Sequence, residues 1–373
     1  MTATTERPQS AALVRYLGPD AFHRDLRQRV DQYLSSLPLG RHGGWPLMAK
    51  SLLMLGWLFG SYWALVFWSA TWLQAVPSAF SLALAIAAVG FNVQHDGNHK
   101  SFSKRPLLNR MSGWTLDLLG ASSYMWHYQH NILHHHHTNI EGADHDIEGG
   151  PLLRFAPGQP RRWFHRFQFL YAWLLYAFLP PKWMLWDDLK AVIVGRMGVQ
   201  KIPRPRGLDL VVFVAGKTLL VSWTFLIPLW QGHSIGVILV LLAFASLVAG
   251  VTLATTFQLA HLFDDSEFDK IETRPEPIER SWAEHQLATT ADFAPRNRLL
   301  TFYLGGLNFQ VEHHLFPTVS HLHYPALAPI VNAVCEEHGI RYRSFPSLRS
   351  ALASHVRWLR TLGAPAGNDA ASS

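Results

Sequence analysis

The chain has 373 residues, 49% of them hydrophobic and 13% aromatic, with a formal net charge of +6. Its single cysteine, Cys335, excludes an internal disulfide and any four-cysteine zinc or iron–sulfur site. The basic residues flank apolar segments instead of forming one stripe, which points to a membrane surface and away from nucleic acid.

From the N-terminus, residues 19–37 read as a short amphipathic helix. No secretory signal is apparent, because the first 40 residues are polar and carry Arg15, Arg24, Arg27 and Arg29 before any long apolar run. Residues 1–45 are therefore expected to be a cytosolic segment ahead of a membrane domain over 46–325.

Four stretches approach the roughly 20 helical residues that a bilayer requires: 47–68, 77–94, 208–230 and 235–259. They pair as two hairpins, since the turns at 72–77 and 231–234 carry no Lys or Arg. The intervening segment 100–206 carries Lys104, Arg105, Arg110, Arg154, Arg161, Arg162, Arg166, Lys182, Lys190, Lys201 and Arg204, and by the positive-inside rule it is cytosolic, as are both termini. Within it, 107–126 contains Asn109, Arg110 and Asp117, and 163–186 contains Arg166, Pro180, Pro181 and Lys182, so both read as helices lying in the membrane interface. Residues 326–373 are expected to form a cytosolic helix and, from 364, a disordered tail. The predicted fold is an all-α integral membrane protein: four transmembrane helices in two hairpins, with a cytosolic helical cap holding a dimetal site.

Three histidine clusters adjoin the apolar stretches: His95-Asp-Gly-Asn-His99, His130-Asn-Ile-Leu-His134-His135 and Gln310-Val-Glu-His313-His314. Spacing of three or four residues puts two rings on one helical face, and neutral imidazole is the commonest protein metal ligand. The fourth apolar stretch outruns the bilayer, so its end projects His261 toward the same clusters. These imidazoles exceed what one tetrahedral ion uses, and two metal ions are the natural count. Nitrogen ligation alone leaves iron, copper and zinc open. His136 and His137 are left out, because a helix cannot aim four consecutive residues at one centre. His127, His145 and His285 are read as ordinary polar residues. Asp144, Asp146, Glu148, Asp264 and Asp265 are candidate acceptors for ligand imidazoles or else solvated acids, and Asn131 and Asn308 are candidate supporting groups. Arg161, Arg162, His165 and Arg166 suit either membrane anchoring or the phosphates of an acyl carrier or lipid.

The stretches His95-Asp-Gly-Asn-His-Lys-Ser-Phe-Ser103, Gln129-His-Asn-Ile-Leu-His-His135, Thr138-Asn-Ile140 and Asn308-Phe-Gln-Val-Glu-His-His-Leu-Phe-Pro317 resemble the histidine boxes of the membrane fatty acid desaturases. More narrowly they are similar to the bacterial acyl-lipid or linoleoyl-CoA-type branch, related to front-end desaturases. The resemblance implies a centre of two iron ions, O2 as co-substrate, and insertion of a double bond into a fatty acyl chain carried on lipid, coenzyme A or carrier protein. It implies as ligands His95, His99, His130, His134, His135, His313 and His314, with His261 in Phe257-Gln-Leu-Ala-His-Leu-Phe263 matching the family's additional histidine. Gln310 stands where many members have the first histidine of the third box, as in front-end enzymes. Acyl hydroxylation or triple-bond formation is the near alternative, and a non-redox zinc membrane protein the distant one. No His-Pro-Gly-Gly haem motif of a fused cytochrome b5 occurs, so the expected electron donor is a separate ferredoxin or cytochrome b5-type carrier with its reductase. The expected location is a bacterial inner membrane.

Overall fold

Lipid offers the backbone no hydrogen-bond partner, so an apolar segment that crosses it must satisfy itself as a helix. In the computed structural model, which describes residues 14–18, 20–198, 200–270 and 278–365, four helices are long and apolar enough to do so: Gly44–Trp68, Trp72–Asn98, Leu208–Trp230 and Ile235–His261. Two begin earlier than expected. The second starts at Trp72 because Thr71 and Gln74 form a capping box, and Pro77 is accommodated inside the helix. It also continues past 94, through a π-helical segment Gly90–Gln94, so that His95 belongs to the same continuous element. The fourth runs for 27 residues, roughly 40 Å at 1.5 Å per residue against a hydrocarbon core of about 30 Å, and delivers His261 at its end.

The second long helix packs against the first and the fourth, burying a face of small residues that includes Ala79, Ala83 and Ala87. A side chain at Gly250 of the fourth would collide with the Tyr176 carbonyl, so that crossing needs glycine. The third is peripheral, with only 11% of its apolar window buried.

Neither 107–126 nor 163–186 forms a crossing helix. The first breaks into Pro106–Gly113, Thr115–Leu119 and Ser123–Trp126, with Gly120 at φ 100° turning the chain. The second is a succession of turns and helices, Trp163–Phe167, Gln168–Tyr176, Leu179–Lys182 and Trp183–Asp187. Its Leu170, Leu174, Phe178, Leu185 and Trp186 stay exposed.

The terminal segments correct the expected domain layout. Helix Ala21–Ser35, capped by Asp20, buries Phe22, Leu26, Val30 and Leu34 at four-residue intervals against Leu327, Val331 and Val334 of helix Tyr324–Glu337. The boundary placed at 325 thus falls inside a helix, and the segment before 45 shares one core with residues 283–335. The C-terminal segment holds two helices, not one, the second being Leu348–Gly363. Pro19 and the tail beyond 365 lie outside the described residues. Short strand pairs, not anticipated in an all-α fold, tie distant segments together. Ile140–Glu141 runs parallel to Asp269–Lys270, joining the chain after the second histidine cluster to the chain after the fourth long helix.

Candidate metal centre

His95 closes the last turns of the second long helix, with His99 just beyond it. Helix Gln310–Leu315 supplies His313 and His314, and the fourth long helix supplies His261. The middle cluster departs from its expected geometry. Alpha-helical spacing would put His130 and His134 on one face, but residues His127–His134 are π-helical, a form that pairs i with i+5 and recurs at functional sites. His130 meets His135, their Nε2 atoms 3.2 Å apart, and stays stacked on His134 at 5.4 Å between ring centroids, while His134 also faces His261 and His314 at 4.8 and 5.0 Å.

The result is two adjoining groups. Ligand atoms of His95, His99, His130 and His313 lie within 4.8 Å of one another, as do those of His134, His261 and His314, those of His135, His313 and His314, and those of His130, His134 and Asp146, so that His130 and His134 also join the two groups. His135 and His313 therefore stand where the two groups meet. Each of these eight histidines is buried, with at most 8% of its surface exposed.

The hydrogen bonding shows whether these rings fit a metal. The Nε2 atoms of His95, His99, His313 and His314 are buried without a partner, whereas buried polar atoms are ordinarily satisfied. Several opposite nitrogens are engaged. His314 Nδ1 meets Gln286 Oε1 at 2.9 Å, His261 Nδ1 meets the Thr289 carbonyl at 3.2 Å, and His313 Nδ1 meets Tyr324 Oη at 3.2 Å. His134 Nδ1 faces both oxygens of Asp144 at 3.2 Å. A ring that donates through Nδ1 presents an Nε2 lone pair, which is the arrangement metal-bound histidine requires. Burial, reinforced by the neighbouring imidazoles, holds His130, His135, His313 and His314 well below the usual histidine range, keeping them in the neutral form that binds metal. Burial acts the same way on His134, but the carboxylates of Asp144 and Asp146 outweigh it and raise that ring to about 9.

Around the histidines the sequence expectations divide. Asp144 is fully buried, accepts from the backbone N–H groups of Asn139 and Asp146, and faces His134. Asp146 lies 3.5 Å from the same ring. Asp264 and Asp265 face away, paired with Arg357 and Arg341, and Glu148 pairs with His145, so these three are not partners of the clustered imidazoles. Asn308 donates to the Phe293 carbonyl, and Asn131 donates to the Asn98 carbonyl and meets His127. Gln310 is buried with its Oε1 unpartnered. His137 is bonded to the Leu133 carbonyl, and His285 to the Thr138 carbonyl. In the basic cluster Arg161 holds the Gly363 carbonyl, and Arg166 lies over the Trp163 and Phe167 rings.

Sequence reading missed Gln286, Thr289 and Tyr324. The capping box of Ser281 and Glu284 announces helix Trp282–Thr289. Nothing in the spacing ties that helix to His314, which is reached only through the tertiary fold.

Buried imidazoles, brought together from the ends of two membrane-length helices, a π-helical segment and helix Gln310–Leu315, define a membrane protein with a polyhistidine centre able to hold metal. Residues 70–346 match the fatty acid desaturase family model. Over 354 residues the chain is 37% identical to an sn-1 linoleoyl-lipid 6-desaturase of Synechocystis sp., covering 95% of this chain and 99% of that one. It is 34% identical over 362 residues to a protein of the same description from Arthrospira platensis, covering 97% and 96%. It is 38% identical over 345 residues to an acyl-lipid (8-3)-desaturase of Physcomitrium patens, covering 92% and 72%. The chain belongs to the fatty acid desaturase family, and it is a fatty acyl desaturase, an oxidoreductase of lipid metabolism.

Proposed function

We propose that this enzyme is an oxygen-dependent diiron desaturase that inserts a double bond into an acyl chain esterified to a membrane lipid. The observation that carries the proposal is the pair of adjoining imidazole groups, in which the Nε2 atoms of His95, His99, His313 and His314 are buried without partners. An unactivated methylene has no acid–base handle, and a bound redox metal pair supplies the oxidising power that side chains lack. His95, His99, His130 and His313 would hold one ion, and His134, His261 and His314 the other, with His135 between them. Gln310, one turn before His313 with an unpartnered oxygen, and Asp146, whose carboxylate lies with His130 and His134, would be further side-chain donors. Asp144, Gln286 Oε1 and the Thr289 carbonyl accept from ring Nδ1–H groups and fix those tautomers, Tyr324 orients His313, and burial of the whole cluster keeps bulk water from the reacting carbons. The lipid-borne substrate is favoured because the relatives are described as lipid desaturases.

The same reading puts the four long helices in two hairpins across a bacterial inner membrane, with the histidines and both termini cytosolic. Segments 107–126 and 163–186 lie in the interface, where exposed Leu170, Leu174 and Phe178 meet lipid. A ferredoxin or cytochrome b5-type donor docks from the cytosol. The decisive experiment is expression in a host of defined lipid composition, with mass spectrometry of the acyl chains and metal analysis of the purified protein. New double bonds dependent on iron and O2 are expected. A hydroxylated product would favour the sister chemistry, and two zinc ions with no iron would overturn the proposal.

A further inference from the structure

On the wall beside the histidines, the indole N–H of Trp183 is buried and meets no acceptor among the described residues. Trp183 packs against Leu116, Ala121 and Trp126. Trp126 in turn stacks on His130 at 4.2 Å between ring centroids and lies 5.6 and 5.5 Å from His95 and His99. Trp183 therefore borders the small cluster whose Trp126 touches the first histidine group. Two and three residues further along, Leu185 and Trp186 are 55% and 64% exposed, so the same turn also borders the surface from which a lipid would approach.

This wall is held in place at considerable electrostatic expense. Lys217, within the third long helix, donates to the Met184 carbonyl, the Gly120 carbonyl and Asp188 Oδ2, each at 2.7 Å. Asp188 also accepts from the Ser122 N–H at 2.8 Å. An ionisable residue in a membrane-length helix persists only when fully partnered. Here its partners are the two backbone segments that carry Trp126 and Trp183, which fixes one tryptophan relative to the other.

We propose that the Trp183 indole N–H receives the carbonyl oxygen of the substrate's acyl ester and thereby sets how many carbons separate that carbonyl from the metal groups. The inference rests on the lipid-desaturase reading above. An acyl chain is uniform and apolar along its length, so apolar walls alone cannot fix its register. Its carbonyl is a lone acceptor, and an indole is a donor with no accepting capacity. A buried donor without a partner and a substrate with one buried acceptor complement each other.

The test compares two lipids carrying the same chain, one linked as an ester and one as an alkyl ether, which lacks the carbonyl. For the iron-loaded wild type, kcat/KM should favour the ester roughly tenfold, the worth of about one hydrogen bond. W183F should bring the ester down to the ether's value, leave the ether unchanged, and scatter the double bond to neighbouring positions. W183H, which keeps a ring N–H, should recover part of the preference. Iron content equal to wild type shows that each variant is folded. In equilibrium binding to the metal-free protein, the ester's advantage should likewise vanish in W183F. Equal losses on both lipids in W183F, or an undiminished ester preference, would overturn the proposal. No product from the wild type with either lipid, while ester-selective binding persists, would instead sink the desaturase reading and leave the contact standing.

Discussion

An imidazole binds a metal through one nitrogen in a fixed direction only when the other is committed, and His134, His261, His313 and His314 each show that commitment. Replacing His134 or His314 with alanine should abolish unsaturated product while the protein remains in the membrane fraction. Retained product in either variant would remove that residue from the ligand set. Asp144→Asn keeps the shape beside His134 but removes the charge, and should weaken metal retention by roughly 10–100-fold, read as iron per chain after dialysis against graded chelator. Asp264→Asn is the control, because that carboxylate is held by Arg357 and iron retention should not change. The histidines were legible in the sequence because three short clusters repeat a helical spacing beside apolar runs. Gln286 and Tyr324 were not, because each acts on a histidine brought near by the fold, with no periodic signature of its own.

Helical elements were legible by length and composition, and their departures from regularity were not. Apolar runs announce four long helices, but the π-helical segments at Gly90–Gln94 and His127–His134 have no composition that marks them. The second of them adds the contact of His130 with His135 to the stacking of His130 on His134. The elements around the third long helix carry a pH signature of their own. Burial is the main cause that pushes the Asp117 carboxyl up from 3.8 to about 7, and burial likewise lifts Asp188 to about 6 despite Lys217. A carboxyl whose folded value lies above its unfolded one contributes stability that is complete below about 4 and is lost as pH rises through the folded value. These two carboxyls therefore favour the folded state more at pH 5 than at pH 8, a bias to be read against a variant because the depressed buried histidines shift stability the opposite way over the same interval. Asp117→Asn mimics the protonated form, so its melting temperature should gain on the wild type progressively across that interval. A difference that stays constant with pH would show that Asp117 does not titrate there.

The whole molecule joins segments that the sequence presents as separate. Cuts at 45 and 325 follow composition, yet helix Ala21–Ser35 and helix Tyr324–Glu337 share one apolar core, because burial rewards complementary faces regardless of their separation along the chain. The histidine centre is a second kind of junction, built from the end of one long helix, the π-helical segment, the end of another long helix and Gln310–Leu315. Unlike the apolar core, it packs imidazoles against imidazoles with the Nε2 atoms of His95, His99, His313 and His314 unpartnered, so without metal it leaves polar groups buried at a cost. Bound metal stabilises the folded state by RT ln(1 + [L]/Kd), about 2.7 kcal/mol at a concentration one hundred times Kd. Stripping iron should lower the melting temperature and raise hydrogen exchange most at 127–137 and 310–315. The contact between the Ala21–Ser35 and Tyr324–Glu337 helices should keep its protection, since apolar burial holds it. Exchange that rises equally in both regions would mean that the two junctions unfold as one unit, and that the metal is not a separable staple on a core already formed.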